Sequence, residues 1–206
     1  HVVEKVTSDS IHTISSGNKK IALYDFGAKR NIAEHLIKRG YEVIVVPAST
    51  PAKKVIAMNV DGILLSNGPG DPSECTEIIG EIKQLIKSGV PIFGICLGHQ
   101  LMALAHGFKT EKLKYGHHGA NHPVKNLING HVYISTQNHN YVIKESSTDA
   151  SIAKVWFMNV NDQTIEGLKY HGQPIQTVQF HPEACAGPQD TEFLFDEFTK
   201  MIEERR

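Results

Sequence analysis

Cys96 has the surroundings of a nucleophile. It lies in residues 94–100, Gly-Ile-Cys-Leu-Gly-His-Gln, with one glycine two positions before it and another two positions after it. An apolar run typical of a buried strand precedes Cys96, and Leu101 and Leu104 continue with helical spacing. Glycines at these offsets permit the sharp strand-to-helix turn that exposes a nucleophile. A thiol at a helix start also feels the positive end of the helix dipole, which favours the thiolate.

The other interpretation of Cys96 is a small buried apolar residue, as most lone cysteines are. The flanking glycines and the change from strand to helix favour the nucleophile. A cysteine nucleophile needs a base to move its proton, and histidine is the usual one. His181 follows a predicted strand, and Glu183, two residues later, can fix the imidazole tautomer. Taken alone, His-Pro-Glu is equally typical of a surface loop. His99 is close to Cys96 in sequence, but neighbours on a helix point in different directions.

The remaining cysteines and histidines suggest structural roles. Cys75 and Cys185 lack an elbow, and no C-x-x-C pair is present, so we expect a reducing compartment with neither a disulfide framework nor a cysteine zinc site. Three of the twelve histidines cluster, namely His117, His118 and His122. They lack the spacing of a metal motif, so we predict no metal site there.

Composition limits the classes of protein that the chain can belong to. Its 206 residues fit one domain. Of these residues, 40% are hydrophobic and 21% are charged, and the formal net charge is -1. This balance argues against disorder and against a basic nucleic-acid surface. No apolar run is long enough to cross a bilayer, and the first residues lack the zones of a signal peptide, so we expect a cytoplasmic protein.

Strand and helix patterns alternate through the first half of the chain. We predict strands at 21–24, 43–46, 62–65 and 90–95, with helices at 31–39, from 51, at 73–87 and from 97. After about residue 108 the pattern becomes short alternating runs at 132–135, 153–156 and 175–178, followed by a helix at 191–203. The sequence therefore predicts an α/β fold, with a largely parallel or mixed central sheet flanked by helices and antiparallel additions in the second half.

Residues 1–18 are mostly polar, and position 1 is His rather than Met. We expect them to be a linker or tail that follows an upstream N-terminal domain. Cys96 and the loop at 66–72, Ser-Asn-Gly-Pro-Gly-Asp-Pro, each follow a predicted strand. Ligand sites in such sheets lie at the carboxyl ends of the strands, so both belong at one edge.

Three separated segments together resemble the triad-type, class I glutamine amidotransferases: residues 94–100, the loop at 67–72 and His-Pro-Glu at 181–183. Order and spacing agree over nearly all of residues 19–206, which would form the amidotransferase domain with a flavodoxin-like core. Within the family, the chain is most similar to the C-terminal domain of carbamoyl phosphate synthetase small subunits. Residues 24–31 and 116–124 carry this narrower resemblance, and 137–139 and 187–190 support it.

The resemblance implies that Cys96 attacks the side-chain amide of L-glutamine, while His181 moves protons and Glu183 orients His181. A γ-glutamyl thioester then forms and is hydrolysed. Ammonia would pass to the large synthetase subunit, which makes carbamoyl phosphate for arginine or pyrimidine synthesis. The resemblance implies no cofactor in this domain, since ATP and Mg belong to the partner subunit. Nucleic acid and membrane are not expected partners.

The substrate-binding residues implied by the resemblance are Gly68, Gly70, Leu97, Gln100, Asn138, Asn140 and Tyr141. Asn140 stands where the family usually has glycine. Asn tolerates a positive φ better than most residues, so it can preserve a backbone contact there. From spacing alone, Gln100 is equally consistent with a solvated helix position and Tyr141 with a core aromatic.

Three other functions compete with this prediction. The first is an amidotransferase subunit of another synthetase, such as the one that makes anthranilate, against which residues 24–31 and 116–124 argue. The second is a catalytically silent interaction module. The third is a general cysteine peptidase or esterase. Because an upstream region is expected, we also predict weak glutaminase activity for this chain in isolation.

Overall fold

A computed structural model describes residues 2–184 and 187–205. Within them, ten strands form a single sheet that five α-helices accompany. The strands are β1 His12–Thr13, β2 Lys19–Asp25, β3 Tyr41–Pro47, β4 Gly62–Leu65, β5 Ile92–Ile95, β6 Thr110–Asn126, β7 Val132–Ile143, β8 Ala153–Asn159, β9 Ile165–Tyr170 and β10 Ile175–Val178. The helices are α1 Arg30–Lys38, α2 Ala52–Ala57, α3 Thr76–Lys87, α4 Leu97–Ala105 and α5 Phe193–Glu203.

The first half of the chain builds the side of the sheet that carries the nucleophile. β2 lies between β3 and β4, β4 pairs with β5, and all three pairings are parallel. A helix follows each of these four strands, as the alternation of patterns predicts. The predicted helix at 73–87 is interrupted, because Asp71 caps a short 3₁₀ helix over Pro72–Glu74, and α3 begins only afterwards.

The second half adds antiparallel strands, as predicted. β6 pairs with β7 and β8, β8 pairs with β9, and a single pairing of β7 with β9 closes these four strands into a small ring. β10 differs from the expectation for 175–178, which placed it among the antiparallel additions. It pairs antiparallel with β9 but parallel with β5, so it joins the two halves. Its side chains are buried, as expected for a central strand.

The core lies on both faces of the sheet. The predicted apolar stripe of the last helix is confirmed, because Phe195, Phe198 and Ile202 are all buried. The ring of Phe93, from β5, meets Phe195 edge to face, with a centroid distance of 5.9 Å. α5 therefore covers the sheet directly behind the strand that leads to Cys96.

The segment predicted to be a linker lies along the sheet. Val3 is buried, and β1 pairs antiparallel with β3. Ser8 donates from its backbone N–H to the carboxylate of Asp25, at 2.9 Å. These contacts tie the segment to the end of β2. In the described part of the chain, no helix combines the length and the apolar character needed to span a membrane.

Candidate active site

Cys96 occupies the turn between β5 and α4. Its φ of 53° and ψ of -102° lie outside the ordinary regions for a residue with a side chain, and its backbone N–H donates to the carbonyl of Val178 at 2.9 Å. Such strain persists only where the surroundings enforce it, and it is common at active sites. The Cys96 residue is 4% exposed.

Crowding explains the two glycines around Cys96. A Cβ on Gly94 would lie 2.9 Å from Thr177 Cγ2, and one on Gly98 would lie 2.7 Å from Leu65 Cβ, both closer than real Cβ atoms come. Both glycines of the G-x-C-x-G pattern are therefore required because the turn packs closely between β4 and β10.

His181 and Glu183 form a buried pair behind the thiol. His181 follows β10, the neighbour of β5, and its Nδ1 lies 2.7 Å from Glu183 Oε1. The backbone N–H of His181 donates to the carbonyl of Thr136 at 2.9 Å, which fixes the segment against β7. His181 Nε2 has no hydrogen-bond partner among the described residues. It is therefore the nitrogen available for proton transfer.

Charges determine the protonation of this pair. Burial lowers the pKa of His181, but the neighbouring Cys96 and Glu183 outweigh burial and raise that pKa to about 9. Burial raises the pKa of Glu183, whereas contacts with His181 and Lys29 lower it more strongly. Near neutral pH the imidazole is thus protonated beside a carboxylate.

Lys29 is a member of the site that sequence reasoning missed. Its Nζ lies 3.1 Å from the same Glu183 oxygen that contacts His181, and about a third of its side chain is exposed. Lys29 precedes α1, in the 24–31 stretch that carried the narrower resemblance. The resemblance in that stretch pointed to this segment, but it did not indicate that Lys29 contacts Glu183.

The backbone N–H of Leu97 lies next to Cys96, and the 66–72 loop comes close to the same position. Leu97 is the first residue of α4, so its N–H has no partner within the helix. A Cβ on Gly68 would lie 2.7 Å from Leu97 Cδ2, which shows how closely the 66–72 loop approaches the helix start. Asn67 holds that loop, because its Oδ1 accepts from the N–H of Lys29 at 3.0 Å. This arrangement can stabilise an oxyanion beside the thiol.

A pocket of about 370 Å³ opens above the thiol, a size at the small end of small-molecule sites. Of the predicted site residues, it is lined by Gly68, Gly70, Cys96, Gln100, Asn138, Asn140, Tyr141 and His181. Glu183 and Leu97 lie behind its wall. Lys29, Asn67, Pro69 and His139 complete the lining and were not predicted. No sequence pattern distinguishes His139 from its neighbours.

The side chain of Gln100 is buried and hydrogen-bonded, and it is not a solvated helix position. Its Nε2 donates to the carbonyl of Tyr141 at 2.7 Å and to Gln179 Oε1 at 2.9 Å, and the side chain is buried. Both amide hydrogens are thereby used. The oxygen of this amide is the atom left to accept from a ligand.

Asn140 lies in β7 and does not have the positive φ that glycine would allow. Its Oδ1 lies 3.2 Å from His118 Nε2, and the Oδ1 of Asn138 lies 2.9 Å from His118 Nδ1. One histidine therefore joins the two asparagines at the rim of the pocket. The substitution for glycine adds a side chain without straining the strand.

The other candidates lie away from the thiol chemistry. His99 Nδ1 lies 2.7 Å from Thr177 Oγ1, and burial lowers the pKa of His99 to about 3, so it is neutral and turned toward β10. Burial also raises the pKa of the Cys75 thiol, at the start of α3. Cys185, which we interpreted as structural, lies outside the described residues.

The structure groups the histidines differently from the sequence. Among the described residues, the set that could hold a metal is His117, His139 and Glu166, whose ligand atoms lie within 4.8 Å of one another, and it includes neither His118 nor His122. Each ring nitrogen of His117 and His139 already lies within hydrogen-bond distance of a protein oxygen. A metal would have to displace these contacts.

A strained cysteine on a helix start, a buried His–Glu pair and the N–H of Leu97 at that helix start are groups that thiol-dependent acyl transfer requires. The family model of class-I glutamine amidotransferases matches residues 22–201, so the chain belongs to that family. It is 53% identical over 186 residues to the carbamoyl phosphate synthase small chain of Helicobacter hepaticus, covering 88% of this chain and 49% of that one. It is 47% identical over 201 residues to the small chain of Fusobacterium nucleatum, covering 98% and 56%.

Thus the chain spans about half the length of the curated relatives that it matches. Among solved structures, it is similar to a Thermoplasma acidophilum protein described as one component of GMP synthase, with 26% identity, a TM-score of 0.74 and coverage of 90% of this chain and 92% of that one. A glutamine amidotransferase from Thermotoga maritima, 15% identical with a TM-score of 0.63, shares the fold over 91% of this chain and 85% of its own.

Proposed function

We propose that this chain hydrolyses L-glutamine to glutamate and ammonia through a γ-glutamyl thioester on Cys96. The observation that carries the proposal is that Cys96 and His181 line the same small pocket, with Glu183 Oε1 2.7 Å from His181 Nδ1. Membership of the amidotransferase family supports the choice of an amide substrate.

In the first half of the reaction, the Cys96 thiolate attacks the side-chain amide carbon of glutamine. The carbonyl oxygen takes the negative charge and accepts from the N–H of Leu97 and from backbone of the 68–70 loop. His181 then gives its proton from Nε2 to the departing nitrogen, so that the carbon–nitrogen bond breaks and ammonia leaves. A thioester remains on Cys96.

In the second half, neutral His181 takes a proton from water, and the resulting hydroxide attacks the thioester carbon. Collapse of this intermediate breaks the carbon–sulfur bond, releases glutamate and restores the thiolate beside the imidazolium. Glu183 holds the ring through Nδ1 in both halves, which keeps Nε2 directed at the reacting atoms. Nucleophile, acid and base all come from the chain, so we propose that the glutaminase step needs no cofactor.

We further propose that the ammonia serves a large synthetase subunit that makes carbamoyl phosphate. The names and identities of the small-chain relatives support this partner over an anthranilate-type synthetase. Co-purification with the large chain of a carbamoyl phosphate synthetase tests it. Binding to another synthetase instead would transfer the chain to a different branch of the family.

Measuring glutamate release and labelling by a diazo-ketone analogue of glutamine tests the glutaminase proposal. Cys96→Ser should lose steady turnover and labelling while keeping the wild-type circular dichroism spectrum. Cys75→Ser is the matched control, because this second buried cysteine lies outside the pocket lining, and it should keep both activities. Unchanged turnover in Cys96→Ser would contradict the proposal. Peptide cleavage without glutamine cleavage would support a peptidase instead.

A further inference from the structure

A group of charged side chains near the pocket has no part in the mechanism above; His117 and Glu166 are buried, whereas Asp162 is exposed. His117, on β6, places Nε2 2.7 Å from Asp162 Oδ2 and Nδ1 3.4 Å from Glu166 Oε1. Glu166 is fully buried, and its Oε2 has no hydrogen-bond partner among the described residues. Burying charged groups costs free energy, so a buried histidine in contact with two carboxylates is unusual without a functional reason.

Contacts connect this group to the pocket. His117 Nδ1 lies 3.1 Å from Gln137 Oε1, and His139 Nε2 lies 2.6 Å from the same oxygen. On its other side, His139 Nδ1 lies 2.9 Å from the carbonyl oxygen of Tyr141. That carbonyl accepts from Gln100 Nε2. The chain of contacts therefore reaches the pocket at His139, which is itself part of the lining.

The two imidazoles carry different charges. The Glu166 carboxylate is the strongest influence on His117, and with Asp162 it overcomes burial and raises the pKa of His117 to about 9. Burial and the charge of His117 lower the pKa of His139 to about 3. Near neutral pH, His117 is thus a donor at both nitrogens, while His139 is uncharged.

A donor at His117 Nδ1 selects the orientation of the Gln137 amide. A glutamine side chain can rotate by half a turn and exchange its oxygen and nitrogen, but only the oxygen can face the His117 N–H. The Gln137 Nε2 then donates to Ser135 Oγ at 3.2 Å. With this amide oxygen fixed, the single N–H of neutral His139 donates from Nε2 to Gln137 Oε1, and this bond holds the His139 ring in the pocket lining.

We propose that His117 is a positioning residue: acting through Gln137 and His139, it holds in place the wall of the pocket where glutamine binds. This rests on the proposed function, since the ligand is the same. His117 is not part of the pocket lining, so its loss should weaken glutamine binding without changing the chemistry at Cys96.

Protection of Cys96 against alkylation separates binding from reactivity. The wild-type chain, His117→Gln and a control, His131→Gln, are treated with iodoacetamide, and modification of the Cys96 peptide is followed by mass spectrometry at increasing glutamine concentrations. His131 is an exposed histidine next to the start of β7, and it is not part of the pocket lining. The protecting concentration is the glutamine concentration that halves the modification of Cys96. We expect it to rise about tenfold in His117→Gln, the effect of losing one good hydrogen bond. It should stay unchanged in His131→Gln.

The outcomes distinguish this inference from the proposed function. Equal protection of wild type and His117→Gln would overturn the inference and leave glutamine hydrolysis standing. Absence of protection in the wild type would overturn glutamine binding itself. A changed rate of Cys96 alkylation without glutamine would show that His117 supports the fold of the whole site and not the wall alone, which also contradicts the inference.

Asp162→Asn provides a second variant in case His117→Gln does not fold. Asp162 Oδ1 accepts from the N–H and hydroxyl of Thr164, and an asparagine oxygen can keep both bonds. Only the oxygen that faces His117 Nε2 is replaced, by an amide nitrogen that cannot accept. We expect a smaller rise in the protecting concentration, about threefold, and an unchanged value would contradict the positioning role.

Discussion

Replacing Gly98 by alanine is the most direct test of how the nucleophile is held. A Cβ at this position would overlap the carbonyl oxygen of Leu65 and lie 2.7 Å from Leu65 Cβ, which falls 0.7 Å short of the 3.4 Å where ordinary contact begins. The clash involves backbone of β4, so it cannot be relieved by rotating a side chain. The start of α4 must move away from the sheet.

That movement has two measurable effects. Overpacking of this kind costs about 1–3 kcal/mol of unfolding free energy. A displacement approaching 1 Å at a catalytic group slows the reaction by up to about 100-fold. α4 carries the Leu97 N–H and begins at Cys96, so both the nucleophile and the oxyanion donor are displaced.

Gly80→Ala is the matched control, because Gly80 lies within α3 and a Cβ there would meet nothing within 4 Å. It should stabilise the fold by about 0.5–1 kcal/mol, since alanine favours a helix over glycine. Urea unfolding and glutamine turnover are measured for both variants. If Gly98→Ala matches Gly80→Ala in stability and retains wild-type turnover, the packing of α4 on β4 is not the reason for this glycine.

Three further predictions concern strain and charge. In urea unfolding, Cys96→Gly should have an unfolding free energy about 1 kcal/mol higher than Cys96→Ala, because glycine adopts the positive φ freely. If Cys96→Ala is the more stable variant, as alanine is in an ordinary helix, the turn is unstrained. Glu183→Gln should lower the pKa of His181 in an NMR titration, since it removes one of the charges that raise it, and an unchanged pKa would contradict that role. The raised pKa of His117 stabilises the fold fully below about pH 6.5, and this contribution disappears as pH rises through about 9. His117→Gln should therefore cost about 1–3 kcal/mol at pH 6 and clearly less at pH 10, and a constant cost by urea unfolding would refute the charge.

Local patterns sufficed for the first half of the fold. Each strand there is a short apolar run, and the helix after β2 ends before Gly40, so the boundaries could be predicted within a few residues. Cys96 could be chosen for the same reason, since the elbow is a local pattern. His181 and Glu183 needed the family resemblance, because His-Pro-Glu alone does not specify a buried loop.

Pairing between distant strands could not be predicted. β10 reads as one more short strand, and only the structure shows that it pairs with β5 on one side and β9 on the other. The contact of Lys29 with Glu183 could not be predicted for the same reason. Nor could the group of side chains around His117. Each joins residues from elements far apart in the chain, and no periodicity within one segment reports the register of another.

The position of β10 also affects how the site forms during folding. Cys96 follows β5 and His181 follows β10, and the chain between these neighbouring strands makes the whole antiparallel ring. Contacts between residues so distant in sequence form slowly, because a long loop must close first. A chain that has folded only through α4 therefore displays a cysteine without its base. We therefore expect the Cys96–His181 pair to assemble late in folding, so that the thiol lies beside its base only after the antiparallel ring has formed.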